Sequence, residues 1–170
     1  EMSTSDWSSD VCSSDLMHEM RKKERRLQDE ETRALLRTGE YGVLATIGQD
    51  GQPYGVPMSY AFAEDHIWLH SAQAGHKVAN LAHCDRVSFC VVGKTEPLPA
   101  AFSMRYRSAM VFGAVRLCSG EEKMIGLMHL VRRYAPDFLE QGRRYAESAL
   151  HKTNVYCLDI ECMSGKTNRY

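Results

Sequence analysis

Residues 53–62 read PYGVPMSYAF, and the alternation in this stretch decides the fold class. Large side chains fall on one parity, Tyr54, Val56, Met58, Tyr60 and Phe62. Gly55, Pro57, Ser59 and Ala61 fall on the other. A period of two is the signature of a strand with two unlike faces. The large face suits the interior of a small barrel, and the small face lets a flat group approach the backbone closely. Pro57 removes one ladder donor, which marks an edge or an irregular stretch.

Outward from this strand, Gln49-Asp50-Gly51 supplies a favoured Asp-Gly turn after an apolar run, Tyr41 to Ile47. Glu64-Asp65 turns the chain back into His66 to His70. Arg86 to Val92, Ser108 to Leu117 and Asn154 to Ile160 complete six strand candidates. Helical spacing appears from Arg21 to Arg37, with Gly39 as a stop, from Gln73 to His83, and from Glu121 to Tyr134, where Met124 and Met128 read as core packing and Pro136 ends the element. Gly93 to Arg105, with Pro97 and Pro99, reads as a long loop. The short connections favour antiparallel pairing, and the fold class is α+β, a small barrel with peripheral helices, with a β-sandwich as the rival.

Composition narrows the function classes. The 170 residues fit one domain, expected over 21–170, and 44% hydrophobic residues are enough for a core. Residues 1–20, with the near-repeat SSDVCSSD, read as a disordered leader or artefact, and no signal peptide is evident. A formal charge of −1, from 21 basic and 22 acidic residues, gives no support for a nucleic-acid partner. No apolar run approaches the roughly 20 residues of a membrane span. The six cysteines form no CxxC pair and read as mostly free thiols in a reducing cytoplasm. No two candidate ligands show close metal-site spacing, so no metal residue is assigned.

Chemistry concentrates in HSAQAGHK, His70 to Lys77, which ends a strand, crosses a turn and begins a helix. Ser71, Lys77 and the free N–H groups of a helix start suit a phosphate, and His76 adds a donor; an ordinary loop with a solvent-facing lysine explains the spacing equally well. There is no GxGxxG and no Walker A pattern. Ser108, beside Arg105, Tyr106 and Arg107, is a second candidate. The tail MSGKTNRY, Met163 to Tyr170, is a third: a charged tail normally frays, and a lysine there reaches a site most easily across a dimer interface. His70 shares a strand face with Trp68 and is the histidine singled out.

Taken together, GVLATIGQDGQPYGVPMSYAF, IWLHSAQAGHKVANL, YRSAMVFGAV and HKTNVYCLDIECMSGK resemble the pyridoxamine 5′-phosphate oxidase-like FMN-binding split barrels, and within them the nitroimidazole-resistance (Nim-type) proteins. The resemblance runs from about Glu30 to Asn168. It implies a homodimer with FMN in the clefts between subunits. It places the backbone of Val56, Pro57, Met58, Ser59 and Tyr60 along the isoalloxazine, with Ser71, His76 and Lys77 near the phosphate. Ser108 approaches the flavin from a neighbouring strand, Lys166 from near the C-terminus, and His70 lies close to flavin and substrate as the catalytic candidate. Relatives often carry Trp before the SGK motif and again after it; Met163 precedes it here, so an aromatic wall of the pocket is missing. The extended basic site of vitamin B6 oxidation has no counterpart. The implied activity is FMN-dependent reduction of nitroaromatic compounds. Non-catalytic flavin binding or sensing, and haem binding through His70 or His76, are the alternatives.

Overall fold

The computed structural model describes residues 18–168; the leader reading for residues 1–17 lies outside them. Eight strands are present: β1 (Gly42–Ile47), β2 (Pro53–Met58), β3 (Tyr60–Ala63), β4 (His66–Ala72), β5 (Arg86–Val92), β6 (Glu96–Leu98), β7 (Ser103–Leu117) and β8 (Thr153–Asn168). Four α-helices accompany them: α1 (Asp29–Thr38), α2 (His76–His83), α3 (Gly120–Tyr134) and α4 (Leu139–Ala149). The strand order is β2-β1-β5-β7-β8-β4-β3, with β6 paired to β7, and every pairing is antiparallel. The first and last strands of this path are consecutive in the chain and meet at Ser59. One sheet therefore curls into a split barrel, and the sandwich alternative is excluded.

The large face of 53–62 fills the interior as the alternation requires. Met58 and Tyr60 are buried with Leu44, Ile67, Leu69, Phe89, Val91, Val111 and Leu158, while Val56 and Phe62 are half-buried against them. Helix α1 closes one end with Leu35 and Leu36, and the Tyr60 hydroxyl donates to the Leu36 carbonyl at 2.6 Å. Outside the barrel, α3 and α4 cover Trp68, Val155 and Cys157 with Leu127, Leu130 and Ala146. Ala61 is buried in that cluster, so the small face is open only at Gly55, Pro57 and Ser59.

Several sequence expectations need correction. The single helix from Arg21 is instead a 3-10 turn (Lys23–Arg25), an extended link, and then α1. Leu27, 1% exposed, is drawn into the core, and its N–H donates to the Gly165 carbonyl at 3.0 Å, which holds the link extended. The Pro-rich stretch contains β6, where Pro97 is tolerated because this strand pairs only with β7. The C-terminal stretch does not fray as far as Asn168; it completes β8, whose register with β7 runs from Tyr106–Asn168 to Leu117–Tyr156. A bulge at Phe112/Gly113 interrupts it, and a Cβ at Gly113 would strike the Asp159 carbonyl. Helix α4 was not anticipated. Cys84, Cys90, Cys118 and Cys157 are free thiols, in line with mostly free cysteines, whereas Cys162 is disulfide-bonded. No helix among the described residues is long and apolar enough to cross a membrane.

Candidate functional site

The sequence-predicted residues gather in two places. The first forms where β2 breaks into β3. Tyr60 pairs with Leu69, so Ser59 lies one residue beyond, level with His70. The break is held by side chains: the Tyr60 N–H donates to the Tyr134 hydroxyl at 3.0 Å, and that hydroxyl donates to the Glu40 carbonyl at 3.0 Å. The Arg133 guanidinium lies 4.7 Å over the Tyr60 ring and donates to the carbonyls of Arg37 and Gly39. Burial pushes the Tyr60 phenol up to about 12, against the opposing charge of Arg133. These contacts anchor Tyr60 next to the exposed Ser59.

Strand β4 runs two residues past His70, to Ala72. Alternation sends Ser71 inward, where it is buried, and His70 outward, onto the exposed side. Partial burial, and then the charge of Lys77, lower the His70 pKa below its ordinary 6.5 and favour the neutral imidazole. The Ser71 hydroxyl donates to the Ala72 carbonyl at 2.6 Å; donating to a phosphate would require its rotation.

Gly75, at φ +130°, turns the chain into α2, a conformation that favours glycine. The N–H groups of the first turn have no intrahelical acceptors. Lys77 is half-buried and makes no hydrogen bond or ion pair among the described residues. His76 stacks on Tyr54, with ring centroids 4.0 Å apart, and so ties the helix start to β2. The sequence reading did not see this contact, because it joins positions on separate elements. Val56 to Tyr60, His70, Ser71, His76 and Lys77 thus share one region.

Ser108 and Lys166 form the second group, directly opposite each other on β7 and β8. Val155, the partner of His70, and Lys166 stand near opposite ends of β8. His70 and Lys166 are therefore separated along most of the length of β8. Beside the second group lies a groove of about 670 Å³ lined by Lys94, Arg105, Tyr106 and Arg107. Two of its cations are paired, Arg105 with Glu96 and Arg107 with Glu31. Across the outer barrel surface, Pro57, Val43, Cys90, Met110 and Ser164 form one cross-strand row, and Gly55, Ala45, Ser88 and Phe112 the next. Val43, Ile47 and Val92 are 37%, 39% and 52% exposed, so this apolar face is open in a single chain.

Three solved structures share the architecture. A candidate 5-nitroimidazole antibiotic resistance protein of Bacteroides thetaiotaomicron is 24% identical, with a TM-score of 0.74 over 84% of this chain and 86% of that one. A FAD- and haem-binding protein of Mycobacterium smegmatis is 22% identical, with a TM-score of 0.75 over 86% and 74%. A FAD-binding protein of Mesorhizobium loti is 28% identical, with a TM-score of 0.58 over 85% and 97%. No curated protein matches the chain in sequence. The sequence profile of the pyridoxamine 5′-phosphate oxidase family matches residues 28–167, nearly the whole described chain, and the chain belongs to that family.

Proposed function

We propose that the protein binds FMN in clefts between two copies of the chain and uses it to reduce nitroaromatic compounds. One observation carries the reading: His70 and Lys77 at one end, and Ser108 with Lys166 at the other end of β8, flank an open apolar barrel face. A second copy seated on that face brings Ser108 and Lys166 of one chain toward His70 and Lys77 of the other. The burial of Val43, Val92 and Met110 favours such a pairing.

The residues of the first group fit a flavin. The unblocked backbone of Gly55, Pro57 and Ser59 accommodates a flat ring, and a Cβ at Gly55 would meet only the edge of Val43. The α2 start and Lys77 suit the phosphate. When bound, the flavin supplies electron transfer, chemistry that no side chain here can perform. The protein's part is orientation and electrostatics. Burial, and then the charge of Lys77, favour the neutral form of His70, whose ring N–H can donate to an oxygen of the acceptor.

The test is the visible spectrum of the purified protein, followed through anaerobic NAD(P)H and then a nitroimidazole. Flavin bands that bleach with the donor and recover with the acceptor support the reductase. Flavin bands that ignore both reagents favour binding or sensing. A Soret band favours haem, the reading in which His70 or His76 would hold the iron.

A further inference from the structure

A separate cluster lies where β4 meets β8, under the edge of α3, and the cofactor reading makes no use of it. His66 pairs with Asp159 across the two strands, and Cys157 lies two residues before Asp159 on the same face. The His66 Nε2 is 3.2 Å from Asp159 Oδ1, and the Cys157 thiol donates to the same oxygen at 3.7 Å. The three potential ligand atoms all lie within 4.8 Å of one another, and among the described residues this is the one group of three such ligands recorded. Bonds of about 2.0–2.3 Å at tetrahedral angles set zinc ligands roughly 3.3–3.8 Å apart, close to the 3.2 and 3.7 Å contacts here, with the histidine–thiol pair within 4.8 Å.

The hydrogen bonding around the cluster points the same way. His66 Nδ1 is committed to the Glu64 carbonyl, so in the neutral ring the proton sits on Nδ1 and Nε2 presents a lone pair. That lone pair faces a carboxylate oxygen. Two acceptors at 3.2 Å repel unless a positive species joins them, either a proton on the ring or a cation between the groups. A backbone carbonyl behind Nδ1 is the arrangement that orients metal-ligating histidines. Arg116 Nε donates to both oxygens of Asp159, at 3.1 Å to Oδ2 and at 3.4 Å to Oδ1, while its guanidinium pairs with Glu122 at 2.6 Å. The closer Arg116 contact is to Oδ2, and Oδ1 is the oxygen that faces His66 and Cys157. Cys157 is fully buried, and His66 and Asp159 are half-exposed, so an ion has an entry path from solvent.

We propose that His66, Cys157 and Asp159 form a binding site for a borderline divalent cation of the zinc type, with the fourth position left to water. The nitrogen, sulfur and oxygen donor set selects such an ion over magnesium or calcium, which prefer oxygen alone. Binding replaces the Cys157 proton and ties the start of β4 to β8. This assignment is independent of the flavin reading.

The test is calorimetric titration of the full chain with Zn²⁺, and titration with Co²⁺ followed by difference absorption. The expected result is one ion per chain, with a thiolate-to-cobalt charge-transfer band. Cys157→Ser should abolish that band. His66→Gln, a substitution at a half-exposed position whose fold is checked by circular dichroism, should weaken zinc binding about tenfold or more. Cys84→Ser, a thiol outside the cluster, should leave both signals intact. Absence of saturable Zn²⁺ binding, or a band and affinity that survive both Cys157→Ser and His66→Gln, would overturn the assignment and leave His66–Asp159 as an ordinary ion pair.

Discussion

Replacing Lys77 with Gln tests the local geometry and the cofactor reading in one variant. The side chain is half-buried without a hydrogen bond or ion pair among the described residues, so its loss should leave the fold unchanged. A charge-assisted hydrogen bond to a phosphate is worth about 1.5–3 kcal/mol, which converts to a loss of about 10- to 150-fold in FMN affinity. The second readout is His70. Two causes lower its pKa, burial first and the Lys77 charge second. Removing the charge should raise the His70 value, and the remaining burial should still hold it below 6.5. Flavin fluorescence quenching measures the affinity, and the imidazole proton resonance of the flavin-free chain measures the titration. An FMN affinity within about twofold of the parent would remove Lys77 from the cofactor site. A His70 titration that does not move would contradict the placement of the two residues.

Tyr60→Phe leaves the Leu36 carbonyl without its buried donor and should cost about 1–3 kcal/mol, seen as a fall in Tm of roughly 3–10 °C; an unchanged Tm would show that the hydroxyl does not anchor α1. Met110→Lys puts a charge within the open apolar row, so light scattering should report a monomer that has lost flavin; a dimer that keeps its flavin would place the interface elsewhere. His70 binds fewer protons in the folded chain than in the unfolded chain below pH 6.5. Its contribution is therefore flat above 6.5, and stability falls as pH drops from 6.5 through the lowered folded value. His129 has the same sign, with burial as the first cause. Urea midpoints across this range should lose part of their slope in His70→Asn, and an identical slope would show that His70 is not shifted.

The barrel was legible where local pattern and packing agree. The alternation of 53–62 declares a strand with a large inner face, and Met58 and Tyr60 occupy the core accordingly. The alternation does not show the break at Ser59, because the Tyr60 N–H is satisfied by Tyr134 from α3, far along the chain. Residues 163–168 look like a polar tail, yet they form strand because β7 supplies the ladder partners, a pairing that local propensity cannot reveal. Pro97 argues against a central strand and is compatible with the edge strand β6.

The candidate site divides along the same line. His70 to Lys77 is a contiguous segment whose strand-turn-helix order is written in the sequence. The opposition of Ser108 to Lys166, the stacking of His76 on Tyr54, and the convergence of His66 with Cys157 and Asp159 all arise from contacts between distant segments. Spacing rules for metal ligands search within short motifs, and that last cluster crosses two strands.

The shared cleft is tested most directly by complementation. Lys77→Gln and Lys166→Gln are each produced alone and then paired as a purified heterodimer carrying two different tags. If every cleft takes Lys77 from one copy and Lys166 from the other, the heterodimer contains one intact cleft and one doubly altered cleft. Each homodimer should then bind flavin weakly, and the heterodimer should recover one tightly bound FMN. A heterodimer that binds no better than its parents would contradict a cleft built from two chains.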